Sequence, residues 1–360
     1  MNTKSILIAV MLLSLNNGLL KAQNSSDEFS IKEIASIHKN GNNIFNGTFS
    51  PDNNYFAYYN YKDDYSPNDG YQFFLINLKE QMERELYVRG KKVQSHKFLI
   101  CFTKDSKYLI KISPSLSLNV YEVGGSSKPY YSEQLYSDRN NLNGVNYLFF
   151  LKGVEFDKAT NRLYADEVVV IEQDDDQDIR FKHSESKVNI SKFVKNSYTN
   201  NSELKGEVMC FNHEYILVEP LLGKKKKIFN LKMNQLTDVK APGTAYDDFA
   251  LIEDKAYIFD TGKKVGYIDL NNLDYNEPIK TRKLGEKSIS SNNILAAGMY
   301  KYIDFYDLTT TELLYSYKTN TNASKIIFSP DGTVMVAQLA KSGASKKMEL
   351  RFSKINFNKN

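Results

Sequence analysis

Tryptophan is absent from the 360-residue chain, and cysteine occurs twice, at Cys101 and Cys210. No C-x-x-C pair or Cys/His grouping exists, so nothing supports a thiolate zinc site. An oxidising compartment would permit a disulfide between the two; their apolar settings, FLICF and VMCF, equally suit buried free thiols. Histidine occurs four times, at His38, His96, His183 and His213, and none falls in H-E-x-x-H. There is no G-x-S-x-G elbow, no P-loop and no G-x-G-x-x-G. No catalytic residue and no cofactor-binding residue is therefore assigned. Charge of one sign is lacking too: 47 Lys+Arg stand against 43 Asp+Glu, a net +4, which carries no nucleic-acid footprint. The apolar run Ser5 to Leu15 has 11 residues, short for a membrane span.

That run lies in MNTKSILIAVMLLSLNNGLLKAQ, residues 1–23. Lys4 supplies a positive n-region, Ser5 to Leu15 an h-region, and Ala22 a small residue near a cleavage point, so the segment reads as a signal peptide. No Cys follows it, so an acylated start is not expected. The mature chain, residues 24–360, is then exported, periplasmic or extracellular, with no transmembrane segment after cleavage. Its 41% hydrophobic and 25% charged residues suit a globular protein, and 25 Tyr with 21 Phe suit pleated sheets.

One phrase recurs. FSPDNNYFAYY begins at Phe49 and FSPDGTVMVAQ at Phe328. Between them lie FTKDSKYLIKI at Phe102, FDKATNRLYAD at Phe156, FNHEYILVE at Phe211, FALIEDKAYIFD at Phe249 and ISSNNILAAG at Ile289. The separations are 53, 54, 55, 38, 40 and 39 residues. In each unit an apolar strand meets a polar turn, a second strand follows, and a third ends in apolar-polar-Leu, as in FFLINLKEQ, KIFNLKMNQ and YIDLNNL. Short strands at even spacing, about four per unit of 40 to 45 residues, predict an all-β chain: a single seven-bladed β-propeller. FSIKEIASIHK, residues 29–39, is a strand without a unit, and the last unit is one strand short. Pairing the two would close the ring and cover a sheet edge.

The FSPDG and FSPDN turns, with the Asp-Leu turns, resemble the WD40-like propeller repeats of bacterial exported proteins, including those of TolB type. The Lys-Ala-Gln leader ending and the Asn/Lys/Tyr-rich style are similar to exported proteins of the Bacteroidetes. The resemblance implies a propeller over nearly the whole mature chain. The Gly-His and Trp-Asp signatures of true WD40 repeats are missing, Ser329–Thr333 does not fit the sialidase Asp-box, and the tryptophan docking motif of quinoproteins cannot be present.

One local pattern suggests a metal. Asp174, Asp176 and Asp178 alternate, and Glu185 stands eleven residues after Asp174, the ligand spacing of an EF-hand calcium loop. Ile179 occupies the position that wants Gly, and the flanks read as strands, so a solvated hairpin tip is the competing reading. Lys224 to Lys227 form a basic run that reads as a solvated hairpin or an anionic docking point. The longer early units hold polar stretches at 63–70, 137–144 and 184–206, read as partner-facing loops. The expected function is non-enzymatic: a protein-binding or scaffold module in the cell envelope. The alternatives are a metal-assisted lactonase or hydrolase at a central channel, and a carbohydrate-binding module that stacks tyrosines on sugar rings.

Overall fold

The recurring turn is built around a buried hydroxyl. Ser329 Oγ donates to Asp331 Oδ1 (2.6 Å) and accepts the Val334 N–H (2.9 Å). Thr103 does the same with Asp105 (2.6 Å) and Tyr108 (3.1 Å), and Ser50 with Asp52 (2.6 Å) and Tyr55 (2.9 Å). The same aspartate Oδ1 also takes the N–H two residues on, at Thr333, Lys107 and Asn54. The next-to-last turn residue is left-handed: Asn53 at φ 58°, Ser106 at 60°, Gly332 at 69°. A second turn follows the same logic. Asn77, Asn230, Asp269 and Asp307 accept backbone N–H groups of the residues after them, and the intervening Leu78, Leu231 and Leu270 are buried. The N–H groups of Leu78, Leu231, Leu270 and Leu308 donate to carbonyls of Asn54, Glu214, Asp254 and Asn293 in the first turn of their own sheet. The apolar-polar-Leu ending therefore ties both turns of a sheet together.

The structure, a computed structural model, describes residues 29–40, 44–62, 70–87, 98–135, 145–174, 177–220, 226–239, 248–259, 264–281, 285–319, 321–340 and 347–357. The expected leader, residues 1–23, lies outside them. No helix among the described residues is long and apolar enough to cross a membrane. In chain order, β1 (Phe29–Asn40) precedes a first sheet of β2 (Ile44–Phe49), β3 (Tyr55–Lys62), β4 (Gly70–Asn77) and β5 (Met82–Leu86). The second sheet holds β6 (Leu99–Phe102), β7 (Tyr108–Ile112), β8 (Ser117–Glu122) and β9 (Tyr131–Gln134). The third is formed by β10 (Asn146–Lys152), β13 (Glu167–Gln173), β14 (Asp178–Ser184) and β16 (Thr199–Lys205). Interleaved with it are β11 (Glu155–Asp157), β12 (Arg162–Ala165) and β15 (Val188–Asn189), a separate three-stranded sheet, and helix α1 (Ile190–Lys195). The fourth sheet is β17 (Glu207–Phe211), β18 (Tyr215–Glu219), β19 (Lys227–Asn230) and β20 (Gln235–Asp238). The fifth is β21 (Asp248–Ile252), β22 (Lys255–Phe259), β23 (Lys264–Asp269) and β24 (Tyr275–Lys280). The sixth is β25 (Lys287–Ile289), β26 (Ile294–Met299), β27 (Tyr302–Asp307) and β28 (Leu313–Lys318). The seventh orders β29 (Ala323–Phe328), β30 (Val334–Ala340), β31 (Lys347–Phe357) and then β1.

The chain divides into two compact units, residues 40–284 and residues 285–360 with 1–39. In the larger unit successive sheets pack face to face, so their strands are apolar on both sides. In β13, Val168 and Val170 join a core with the second sheet, while Val169 and Ile171 join one with the fourth. Leu217 of β18 points to the fifth sheet and its neighbours Ile216 and Val218 to the third. In the smaller unit Ile303, Phe305, Met335 and Ala337 form the core between sixth and seventh sheets, and Phe29 of β1 closes it. The expected pairing of residues 29–39 with the last unit is present. Ser36 Oγ donates to Glu349 Oε1 (3.0 Å), Glu33 meets Arg351 (3.4 Å), and Asn356 Nδ2 donates to Ser30 Oγ (3.2 Å).

Three expectations shift. Phe156 sits on β11 of the added sheet, because FDKATNRLYA is a hairpin but not the hairpin of the third unit, whose first strand ends at Lys152. Phe249 lies inside β21, which runs on to Ile252 before a tight turn at Glu253 (φ 50°). Segment 184–206, read as a loop, holds β15, α1 and the fourth strand β16, because Ile190, Val194 and Leu204 supply core contacts.

Candidate functional site

The third sheet departs furthest from the common plan. Its first and second strands are joined through the β11–β12 hairpin, and its third and fourth through β15 and α1. Asn189 caps the helix, accepting the Lys192 N–H at 3.0 Å. The hairpin folds over the second sheet: the Phe156 ring is 5.1 Å from Tyr108 and 6.0 Å from both Tyr130 and Tyr131. Tyr130 stays 43% exposed, with Lys158 Nζ 4.9 Å above its ring and 3.4 Å from Glu122. Lys104 pairs with Glu155 and Asp166, and Glu155 also with Lys187. The Lys104 and Lys187 ammoniums hold the Glu155 carboxyl below its ordinary value. Such exposed pairs add little stability, but they order a surface of alternating charge.

At the other end of β13 lies a cavity of about 470 Å³. Strand register places Tyr147 opposite Glu172, and Glu172 opposite Arg180, in one row across three strands. Elsewhere on this face stand Phe149, Val168 and Val170, all core residues. Glu172 is 8% exposed and pairs with Arg180; the Arg180 Nε is buried and has no hydrogen-bond partner among the described residues. Leu116 of the second sheet lines the facing wall, and Lys195, Asn196, Ser197 and Tyr198 the rim. Beneath the rim, buried Lys182 donates to the Val194 and Asn196 carbonyls (2.7 and 2.8 Å) and lies 3.8 Å from the Tyr198 ring centroid. Burial pushes the Lys182 ammonium down to about 8. It satisfies the end of α1, where a cation suits the helix dipole.

Of the calcium candidates, Glu185 is not brought to Asp174 and Asp178. Asp174 Oδ1 accepts the Asp178 N–H (2.9 Å), and Asp178 pairs with Lys205 (2.6 Å). Glu185 follows the far end of seven-residue β14, roughly 20 Å away at strand rise, and pairs with Lys232 (2.8 Å). Asp176 lies outside the described residues. No group of three or more candidate metal ligands occurs among the described residues. Lys224 is likewise outside them; Lys226 is buried against Glu219 (3.6 Å) and the Phe249 ring, and Lys227 pairs with Asp238 (4.0 Å), so this half of the run is not free in solvent. Residues 63–69 and 137–144 are outside too. The cavity row was missed because it needs registers between strands far apart in sequence. The one available signal was charge at core-facing positions in EVVVIEQ and DIRFKHS.

No family model matches the chain, and no curated protein matches it. Among solved structures it is similar to the Dos1 propeller, with a TM-score of 0.61 over 90% of this chain and 95% of that one, at 10% identity. The fold class is therefore the β-propeller.

Proposed function

We propose that the chain is an exported, non-enzymatic propeller that binds a protein partner in the cell envelope through the added β11–β12–β15 sheet. Its seven four-stranded sheets are seven blades of a WD40-like wheel, closed by β1 beside β31. The observation that carries the binding role is the added sheet itself: blades without it keep a short turn at this position, whereas here a hairpin and a helix are built on. Where the hairpin meets the second sheet, its Lys158 stands over exposed Tyr130, and tyrosine and charged rims of this kind suit protein recognition. A propeller is a rigid frame for such a surface.

The test replaces residues 153–166 with Ser-Pro-Asp-Gly, the turn of the seventh sheet. Crosslinking in the native envelope should capture a stoichiometric partner with the full protein and lose it with the replaced one, while urea unfolding stays cooperative. Identical capture by both proteins overturns the reading. Export is checked separately: the envelope-derived protein should begin at Asn24.

A further inference from the structure

We propose that the cavity lined by Tyr147, Glu172, Arg180 and Tyr198 is a binding site for an acidic saccharide, holding one hexuronic acid ring as its unit. The strand pattern gives the first reason. A carboxylate and a guanidinium stand on a face that β10 and β13 continue with Phe149, Val168 and Val170, and β14 with Lys182 and Ser184. Holding the Glu172 carboxylate nearly buried beside the partly exposed Arg180 carries a desolvation cost that an apolar residue there would avoid. Charges that break a core pattern without serving the fold are expected at functional positions.

The walls supply the second reason. Tyr147 and Tyr198 both line the cavity, their rings packed against each other at 6.3 Å and 54°, with Tyr198 partly exposed. A pyranose offers C–H faces to such rings and hydroxyls around its edge. Glu172 accepts from a hydroxyl pair, and Asn196 and Ser197 both donate and accept. Arg180 keeps a buried Nε–H with no partner among the described residues. Two cations, Arg180 and Lys195, line the cavity against one carboxylate, Glu172, which leaves a place for a ligand carboxylate. The volume of about 470 Å³ falls within the roughly 300–1,000 Å³ of small-molecule sites.

A peptide fits less well. Peptides that add to a sheet need a free edge. Here β16 covers β14 at this level, with Asn200 opposite Arg180. The cavity lies at the opposite end of β13 from the added sheet, so it does not rest on the protein-partner reading.

Calorimetric titration of the purified full chain tests the site with galacturonate, glucuronate, glucose, acetate and a dipeptide with a free carboxylate. Both uronates should bind, with glucose and acetate at least about tenfold weaker. Lys195→Ala, at an exposed position, and Tyr198→Ala should each weaken uronate about tenfold. Arg180→Lys, which keeps a partner for Glu172 but removes Nε, should weaken it similarly. Uronate binding no tighter than glucose, tighter binding of the dipeptide, or unchanged affinity in Lys195→Ala overturns the proposal. Identical partner capture by the full and the hairpin-replaced protein, with uronate binding intact, would sink the protein-partner reading and leave this one standing.

Discussion

Ser329 donates its hydroxyl to Asp331 at 2.6 Å, and the same oxygen accepts the Val334 amide at 2.9 Å. Ser329 is 3% exposed, so water cannot replace either bond. Ser329→Ala should cost about 1–3 kcal/mol through the unpaired amide. Ser329→Thr should cost much less, since Thr103 fills this role in the second sheet. Urea unfolding of the two variants checks the difference; equal losses would show that the turn does not depend on the hydroxyl.

Gly332 holds φ 69°, and a Cβ there would lie 2.7 Å from Asn292 Nδ2. That amide donates to the Asp331 carbonyl at 2.9 Å, linking the turns of the sixth and seventh sheets. Gly332→Ala should destabilise by about 1 kcal/mol. Only the part owed to the Asn292 contact should vanish in an Asn292→Ala background, because the positive φ strains alanine whatever its neighbours. A double-mutant cycle by thermal unfolding measures the coupling.

Phe29 packs 5.3 Å from Phe305 and 5.8 Å from Tyr315, and is 2% exposed. Phe29→Ala should cost about 3–5 kcal/mol. Removing residues 29–39 should bare the edge of β31 and give soluble aggregates on gel filtration. A truncated protein that stays monomeric with an unchanged midpoint would show that β1 is not needed to complete the seventh sheet.

Lys111 is 3% exposed, and its Nζ is 4.2 Å from the Phe73 ring centroid. Burial pushes its ammonium down to about 7 from the ordinary 10.5, and Lys182 to about 8. Between the lowered and ordinary values the unfolded chain binds more protons than the folded one. Stability should therefore rise with pH from about 7 to 10.5, with Lys182 adding from about 8. Lys111→Met should flatten the rise and stabilise the protein near neutral pH by on the order of 2 kcal/mol. Lys182→Met should gain less, because the Val194 and Asn196 carbonyls lose their donor. Urea midpoints across this pH range decide it.

Cys101 packs between the second and third sheets and Cys210 between the fourth and fifth, and both are free. Burial pushes both thiols up to about 12. Neither should be alkylated in the folded protein at pH 8, and both should react in denaturant, as read by intact mass. Rapid labelling of either in the folded state would contradict this packing.

The sequence by itself determined the strands that flank the repeated turns, the hydroxyl-Asp turns, the apolar-polar-Leu turns and the orphan strand of residues 29–39. Each depends on neighbours within a few positions or on a period of two, and local chemistry writes such features directly into the order of residues. Tertiary structure alone decided that FDKATNRLYA joins Val188–Asn189 in an added sheet, that residues 199–205 complete the third sheet, and that Glu185 stands apart from Asp178. It alone also set Tyr147, Glu172 and Arg180 in one row. The reason is register: a shift of one residue would turn every side chain of a strand to the other face, and nothing within a strand states which partner it will meet.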